Sequence, residues 1–118
     1  MTETNKQPAL ETFPNKYPGR PYAVEMVYPE FTSVCPKTGL PDFGEIRIKY
    51  IPDKLCVELK SLKLYLHSYR NERIFYETVV NKILDDIVSV CNPREIEVIG
   101  NFNPRGGITT TVTAKHKK

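Results

Sequence analysis

The sequence predicts an α+β domain, an antiparallel sheet of about four strands with two helices packed on one face. Three observations carry this. Apolar residues alternate with polar ones through Ile46, Ile48 and Tyr50, the period of a half-buried strand. They recur at helical spacing between about Leu59 and Cys91. Strand-like residues then return after Asn92-Pro93, so two helices lie between two groups of strands.

Taken in order, residues 1–20 carry Pro8, Pro14 and Pro18 among polar residues, which removes backbone donors and favours an extended arm. The domain proper is expected over 21–114. Tyr22, Val24, Met26 and Tyr28 give a weak strand signal that Pro29 closes. Residues 31–42 read as a loop, because Cys35-Pro-Lys-Thr-Gly-Leu-Pro-Asp42 is rich in turn formers. Ile46–Tyr50, a Pro52-Asp53 turn and Lys54–Glu58 read as a hairpin. Leu62, Leu66 and Tyr69 mark a first helix over about 59–69. A second runs from about Glu72 to Cys91, with Asn71 as N-cap and Asn92-Pro93 as stop. Ile96–Phe102 then reads as a strand, Asn103–Gly107 as a turn and Ile108–Ala114 as a Thr-rich last strand. Lys115-His-Lys-Lys118 reads as a solvated, poorly ordered tail. A sheet of this kind leaves two unpaired edges, which joining between subunits into a closed barrel removes.

Composition narrows the function classes. The chain has 118 residues, 40% hydrophobic and 26% charged, ordinary for a globular protein. Its formal charge of +3 equals the contribution of Lys115, Lys117 and Lys118, so the body balances to zero and carries no nucleic-acid footprint. No apolar run approaches the roughly 20 residues of a membrane span, and the first residues lack the apolar core of a signal peptide. A cytoplasmic location is expected. Cys35, Cys56 and Cys91 are an odd count at irregular spacing, which describes neither a disulfide framework nor a zinc site. His67 and His116 have no partners at metal or triad spacing, so no metal is expected.

Cys35 sits in a loop where a thiolate is accessible as a nucleophile, although an inert loop thiol fits pattern alone equally well. Asp42 follows after turns that bring its carboxylate back toward the sulfur, and a turn or capping role is as compatible. Glu58-Leu-Lys-Ser-Leu-Lys-Leu-Tyr65 crosses into a helix start, where open N–H groups with Lys60, Ser61 and Lys63 form a workable anion site; plain solvated lysines are the simpler reading. Arg105-Gly106-Gly107 sets a guanidinium beside a flexible turn, suited to phosphate or to a plain hairpin. On the second helix Tyr76, Val79, Val80, Ile83, Ile87 and Val90 share one stripe, which alone makes Tyr76 a core residue. Glu77 falls at the shoulder of that stripe near the helix N-terminus, as either a rim carboxylate or a solvated first-turn acid.

Read together, Cys35-Pro-Lys-Thr-Gly-Leu-Pro-Asp42-Phe, Glu58-Leu-Lys-Ser-Leu-Lys-Leu-Tyr65, Phe75-Tyr-Glu77 and Pro104-Arg-Gly-Gly107 resemble the 7-cyano-7-deazaguanine (QueF) nitrile reductases of queuosine biosynthesis. The match is to their short single-domain form, over about residues 28–108. The resemblance implies a tunnelling fold, whose subunits join sheets into a homo-oligomeric ring, a decamer of two pentamers being one form, with active sites between neighbours. It further implies Cys35 as nucleophile forming a thioimide with the nitrile, and Asp42 as proton donor. Val57, Glu58, Leu59, Tyr76 and Glu77 are implied to hold the small deazaguanine substrate, and Lys60, Ser61, Lys63, Arg105 and Gly106 to serve NADPH. The family usually has His before that Glu; here it is Tyr76, a phenol that carries no positive charge near neutral pH. Three alternatives stay open: an amidinotransferase acting on the same nitrile on tRNA, a non-catalytic purine or pterin-binding ring, and a metal-dependent cyclohydrolase. The transferases lack the Glu58–Tyr65 motif, and the cyclohydrolase needs a Cys/His ligand set that is not evident.

Overall fold

The computed structural model describes residues 7–118. The elements are β1 (Thr12–Pro14), β2 (Val24–Val34), β3 (Pro41–Ile51), β4 (Leu55–Val57), α1 (Leu59–His67), a 3-10 turn (Ser68–Asn71), α2 (Tyr76–Cys91), β5 (Glu95–Arg105) and β6 (Ile108–Lys117). Strands β2, β3, β5 and β6 form one antiparallel sheet in that order, and β1 pairs with β4 in a separate ribbon.

Alternation along the strands sets the core. Ile46, Ile48 and Tyr50 of β3 and Ile96, Val98 and Phe102 of β5 are buried, as are Val79, Val80, Ile83, Leu84 and Ile87 of α2 and Leu62 and Leu66 of α1. Each such side chain contributes about 1.5–3 kcal/mol on leaving water. The polar Tyr65 and Tyr69 enter this core because their hydroxyls bond each other at 2.9 Å and Tyr65 donates to Asp86 at 2.5 Å. Opposite the core, the strands carry Glu25 with Arg47 at 3.3 Å and Glu97 with Lys115 at 3.6 Å.

Several sequence expectations are corrected. The arm is partly structured: Thr12–Pro14 pairs with Leu55–Val57, while residues 1–6 lie outside the described residues. Strand β2 does not stop at Pro29 but continues to Val34 through a bulge between Tyr28 and Phe31. It is an edge strand, where the missing N–H of Pro29 costs no ladder bond. The expected loop over 31–42 therefore contracts to Cys35–Leu40. Strand β3 pairs with β2 and β5, not with the segment after Pro52, which joins β1 instead. Helix α2 begins at Tyr76, four residues later than expected, and Asn71 ends the 3-10 turn instead of capping α2. The stop is as expected: Asn92 takes the left-handed conformation and its N–H reaches Val88 O at 2.9 Å. The basic tail is not loose, since Lys115–Lys117 continue β6 against Glu95–Glu97 and Lys118 pairs with Asp53 at 2.5 Å. Among the described residues no helix is long and apolar enough to cross a membrane.

Candidate active site

In an antiparallel sheet of this order, the β2–β3 loop and the β5–β6 turn leave from the same end. Cys35 follows the last residue of β2, and Asp42 is the second residue of β3, in register with Ser33. Arg105 ends β5 at a turn made by Gly106 and Gly107, both at positive φ (59° and 85°), as a two-residue hairpin with right-handed strands requires. At this end α2 begins. Cys35, Asp42, Tyr76, Glu77 and Arg105 consequently line one cleft of about 200 Å³, completed by Pro36, Ile74 and Phe75.

The loop that carries Cys35 is closed on itself. The Cys35 N–H donates to Leu40 O at 2.9 Å, and the Gly39 N–H donates to Cys35 O at 2.9 Å. The Thr38 hydroxyl, which accepts from the Leu40 N–H at 3.1 Å, and the backbone N–H groups of Thr38 and Lys37 turn toward the sulfur. These donors favour the thiolate and hold the Cys35 thiol below its ordinary range, against the smaller opposing effects of burial and of the Asp42 charge. Asp42 is almost fully buried and forms an ion pair with the Arg105 guanidinium, which answers the cost of burying a carboxylate.

Tyr76 is neither pure core nor free. It is half-buried and its ring stacks on Phe102, centroids 3.8 Å apart and planes within 3°. Burial first, and then the Asp42 carboxylate that its hydroxyl faces, raise the pKa of the phenol, so it remains a neutral donor. Glu77 is exposed in the first turn of α2, whose N-terminal N–H groups have no side-chain cap. Cys56 and Cys91 lie in the core, where burial raises the Cys91 thiol to about 11, and neither lines the cleft.

The second group of expected residues lies elsewhere. Val57 is buried, with its N–H given to the Tyr50 hydroxyl at 2.9 Å. Glu58 caps α1 by accepting from Lys60 N at 2.9 Å and Ser61 N at 2.7 Å, which also holds its carboxyl below the usual range. This corrects the expectation of open N–H groups there: the helix start is filled by the chain's own carboxylate. Ser61 is buried, donating to Glu58 O at 2.8 Å and accepting from Glu11 N at 2.9 Å. Lys60 and Lys63 stand exposed, and among the described residues neither enters an ion pair; Leu59 is 64% exposed. Arg105 and Gly106 belong with Cys35 and not with these lysines. Sequence reasoning missed Thr38, Arg73 and Phe102. For Phe102 a signal existed, because Gly44 and Gly100 interrupt two strands where a β-carbon would lie 2.8 and 2.7 Å from its ring.

Comparison with known proteins bears on the family of the chain. The family model described as QueF-like protein matches residues 41–118. A protein of Chloroherpeton thalassium is 62% identical over 112 residues, covering 95% of this chain and 97% of its own length. One of Chlorobium luteolum is 61% identical over 94% of this chain and 96% of its own. One of Anaeromyxobacter dehalogenans is 61% identical over 91% and 88%. Each is named NADPH-dependent 7-cyano-7-deazaguanine reductase. Among solved structures, the archaeosine synthase QueF-Like in its apo form superposes with a TM-score of 0.76 at 25% identity, over 81% of this chain and 94% of the other. The architecture is that of the tunnelling fold, and with some three-fifths of its residues shared over nearly its whole length, the chain belongs to the family of NADPH-dependent 7-cyano-7-deazaguanine reductases.

Proposed function

We propose that this protein reduces the nitrile of 7-cyano-7-deazaguanine to the aminomethyl group with NADPH, through a thioimide on Cys35, as a step in queuosine biosynthesis. The observation that carries the mechanism is the convergence of a thiol with a depressed pKa, a buried carboxylate and an exposed first-turn glutamate on one cleft. The Cys35 proton passes to Asp42, and the thiolate adds to the nitrile carbon. As the C–S bond forms, one C–N π bond breaks and Asp42 returns the proton to the nitrogen. NADPH, when bound, would supply hydride at that carbon, two equivalents for each nitrile. Cys35 leaves as thiolate when the C–S bond of the once-reduced adduct breaks to the imine, and a proton from solvent completes the amine. Glu77 accepts paired hydrogen bonds from the guanine-like edge of the base, and Tyr76 donates a neutral O–H beside Asp42.

The exposed Lys60 and Lys63, lacking acidic partners among the described residues, fit a phosphate-bearing dinucleotide. They lie within α1, and the rest of that helix with the 3-10 turn, eight residues after Lys63 and eleven after Lys60, separates them from the link before α2, a span of about 14–18 Å. The Cys35 cleft is also smaller than the roughly 300–1,000 Å³ of usual ligand sites. Both facts, with the free edges of β2 and β6, support a ring in which one chain supplies Cys35 and a neighbour supplies the lysines.

The test uses free 7-cyano-7-deazaguanine. NADPH consumption that depends on it, with an adduct on Cys35 in intact-protein mass spectrometry, is expected; no consumption by the reduced protein sinks the reading. For the shared site, Cys35→Ala and a Lys60→Ala/Lys63→Ala variant are each inactive, and dissociating and reassembling them together restores about one quarter of wild-type activity. No restoration in verified mixed assemblies means that the two groups act within one chain.

A further inference from the structure

The link between α1 and α2 is tied to the nucleophile's own strand. The Val34 N–H donates to Glu72 O at 2.9 Å, and the Ile74 N–H donates to Val34 O at 3.1 Å, a one-residue parallel bridge between Val34 and Arg73. Both backbone groups of the residue before Cys35 are therefore held by the segment that runs directly into Tyr76 and Glu77.

The Arg73 side chain extends this tie across the loop. Its Nη1 donates to Pro36 O at 3.3 Å, and its Nη2 lies 2.9 Å from where a β-carbon on Gly39 would stand. Gly39 is at φ 73°, a backbone conformation that favours glycine, and the absence of a side chain there leaves room for the guanidinium. Among the described residues no carboxylate comes within ion-pair distance of Arg73. The guanidinium is given instead to the Cys35–Leu40 loop, bonding Pro36 O and lying against Gly39.

We propose that Arg73 is a positioning residue for the nucleophilic addition: it clamps the Cys35–Leu40 loop to the link before α2, fixing the sulfur relative to Tyr76 and Glu77. This rests on the reading of Cys35 as nucleophile. Arg73 does not touch the sulfur. It acts by keeping the loop in the one conformation in which the N–H groups of Lys37 and Thr38 and the Thr38 hydroxyl converge on it. A loosened loop spends part of its time with those donors turned away, and the thiolate fraction at neutral pH falls.

The experiment is alkylation of Cys35 by iodoacetamide as a function of pH, followed by intact mass, in wild type, Arg73→Met and Arg73→Lys. Cys56 and Cys91 are buried and react slowly, and Arg73 is exposed, so the variants fold. Arg73→Met retains the apolar stem and loses the donors. Its alkylation midpoint is expected to rise toward the ordinary thiol value, with a rate about threefold lower at neutral pH and equal to wild type at high pH. Its kcat for the nitrile falls in proportion while KM stays within about twofold, because the base is held from α2. Arg73→Lys, which still offers a donor to Pro36 O, stays within about twofold of wild type. High salt leaves the Arg73→Met deficit in place. An unchanged profile in Arg73→Met overturns the clamp, and so does a deficit that salt abolishes, because that is the signature of a bare charge. Wild type that alkylates normally but never consumes NADPH with the nitrile refutes the reductase mechanism and leaves the clamp standing.

Discussion

Replacing Gly100 by alanine sets two effects of opposite sign against each other. Glycine inside a strand loses more backbone freedom on folding than alanine, so relief of that cost alone predicts a gain of about 0.5–1 kcal/mol. The site has no room for the methyl group. A β-carbon at Gly100 would stand 2.7 Å from both Phe102 Cε2 and Val80 Cγ2, in a region where Val80 is fully buried and Phe102 is 4% exposed. Phe102 has little room to retreat, because Tyr76 stacks on its face at 3.8 Å and Phe31 packs edge-on with centroids 6.3 Å apart. Overpacking of this kind costs about 1–3 kcal/mol, so the net expectation is a loss centred on about 1 kcal/mol. The loss also reaches the site, since Tyr76 stacks on the ring being displaced. Urea unfolding at fixed protein concentration measures the first effect as a lower midpoint with an unchanged m value, and the KM for the nitrile measures the second. A Gly100→Ala protein as stable as wild type, or more so, refutes the packing argument.

Two further outcomes follow from the cleft. Thr38→Val is nearly isosteric but removes the hydroxyl that donates to the Cys35 sulfur. Its alkylation midpoint therefore rises, reactivity is lost below that midpoint and retained above it, and Thr38→Ser restores the profile; identical profiles in all three proteins exclude a role for the hydroxyl. Tyr76→Phe keeps the ring stack and removes the group that faces Asp42. A hydrogen bond to a charged partner is worth about 1.5 kcal/mol, so turnover falls about tenfold with little change in Tm, whereas unchanged kcat and KM return Tyr76 to a packing role.

The parts of this site that sequence reasoning reached are those fixed by local chemistry. Turn formers following Cys35 and the Gly106-Gly107 pair mark loops whatever the tertiary context, and the helical period of Val79, Val80, Ile83 and Ile87 survives in the burial of α2. What escaped depends on pairing between distant segments. Pro29 reads as a strand end until β2 is known to be an edge. Asn71 reads as an N-cap until Val34 draws Glu72–Ile74 into an extended bridge and delays α2 to Tyr76. Lys115–Lys117 read as tail until Glu95–Glu97 supply a partner strand and an opposite charge at 3.6 Å. Thr38 and Arg73 were invisible for the same reason. Neither residue type signals catalysis, and their relevance lies in where a closed loop aims a hydroxyl and where a bridge aims a guanidinium.

The topology also separates two tasks. Strand order β2-β3-β5-β6 sends the Cys35 loop, the Gly106-Gly107 turn and the start of α2 to one end of the sheet, which joins Cys35, Asp42, Tyr76, Glu77 and Arg105 through short connections. The other end carries β1, β4 and the capped start of α1 with Lys60, and is closed by Arg94 and Lys118 on Asp53. Every contact that lowers the Cys35 pKa lies within its own six-residue loop, and the clamp reaches that loop from an adjacent link. Thiol reactivity is therefore built into one chain. On the proposed reading, reduction also uses Lys60 and Lys63 of α1, which a neighbouring chain of the ring would bring to this cleft.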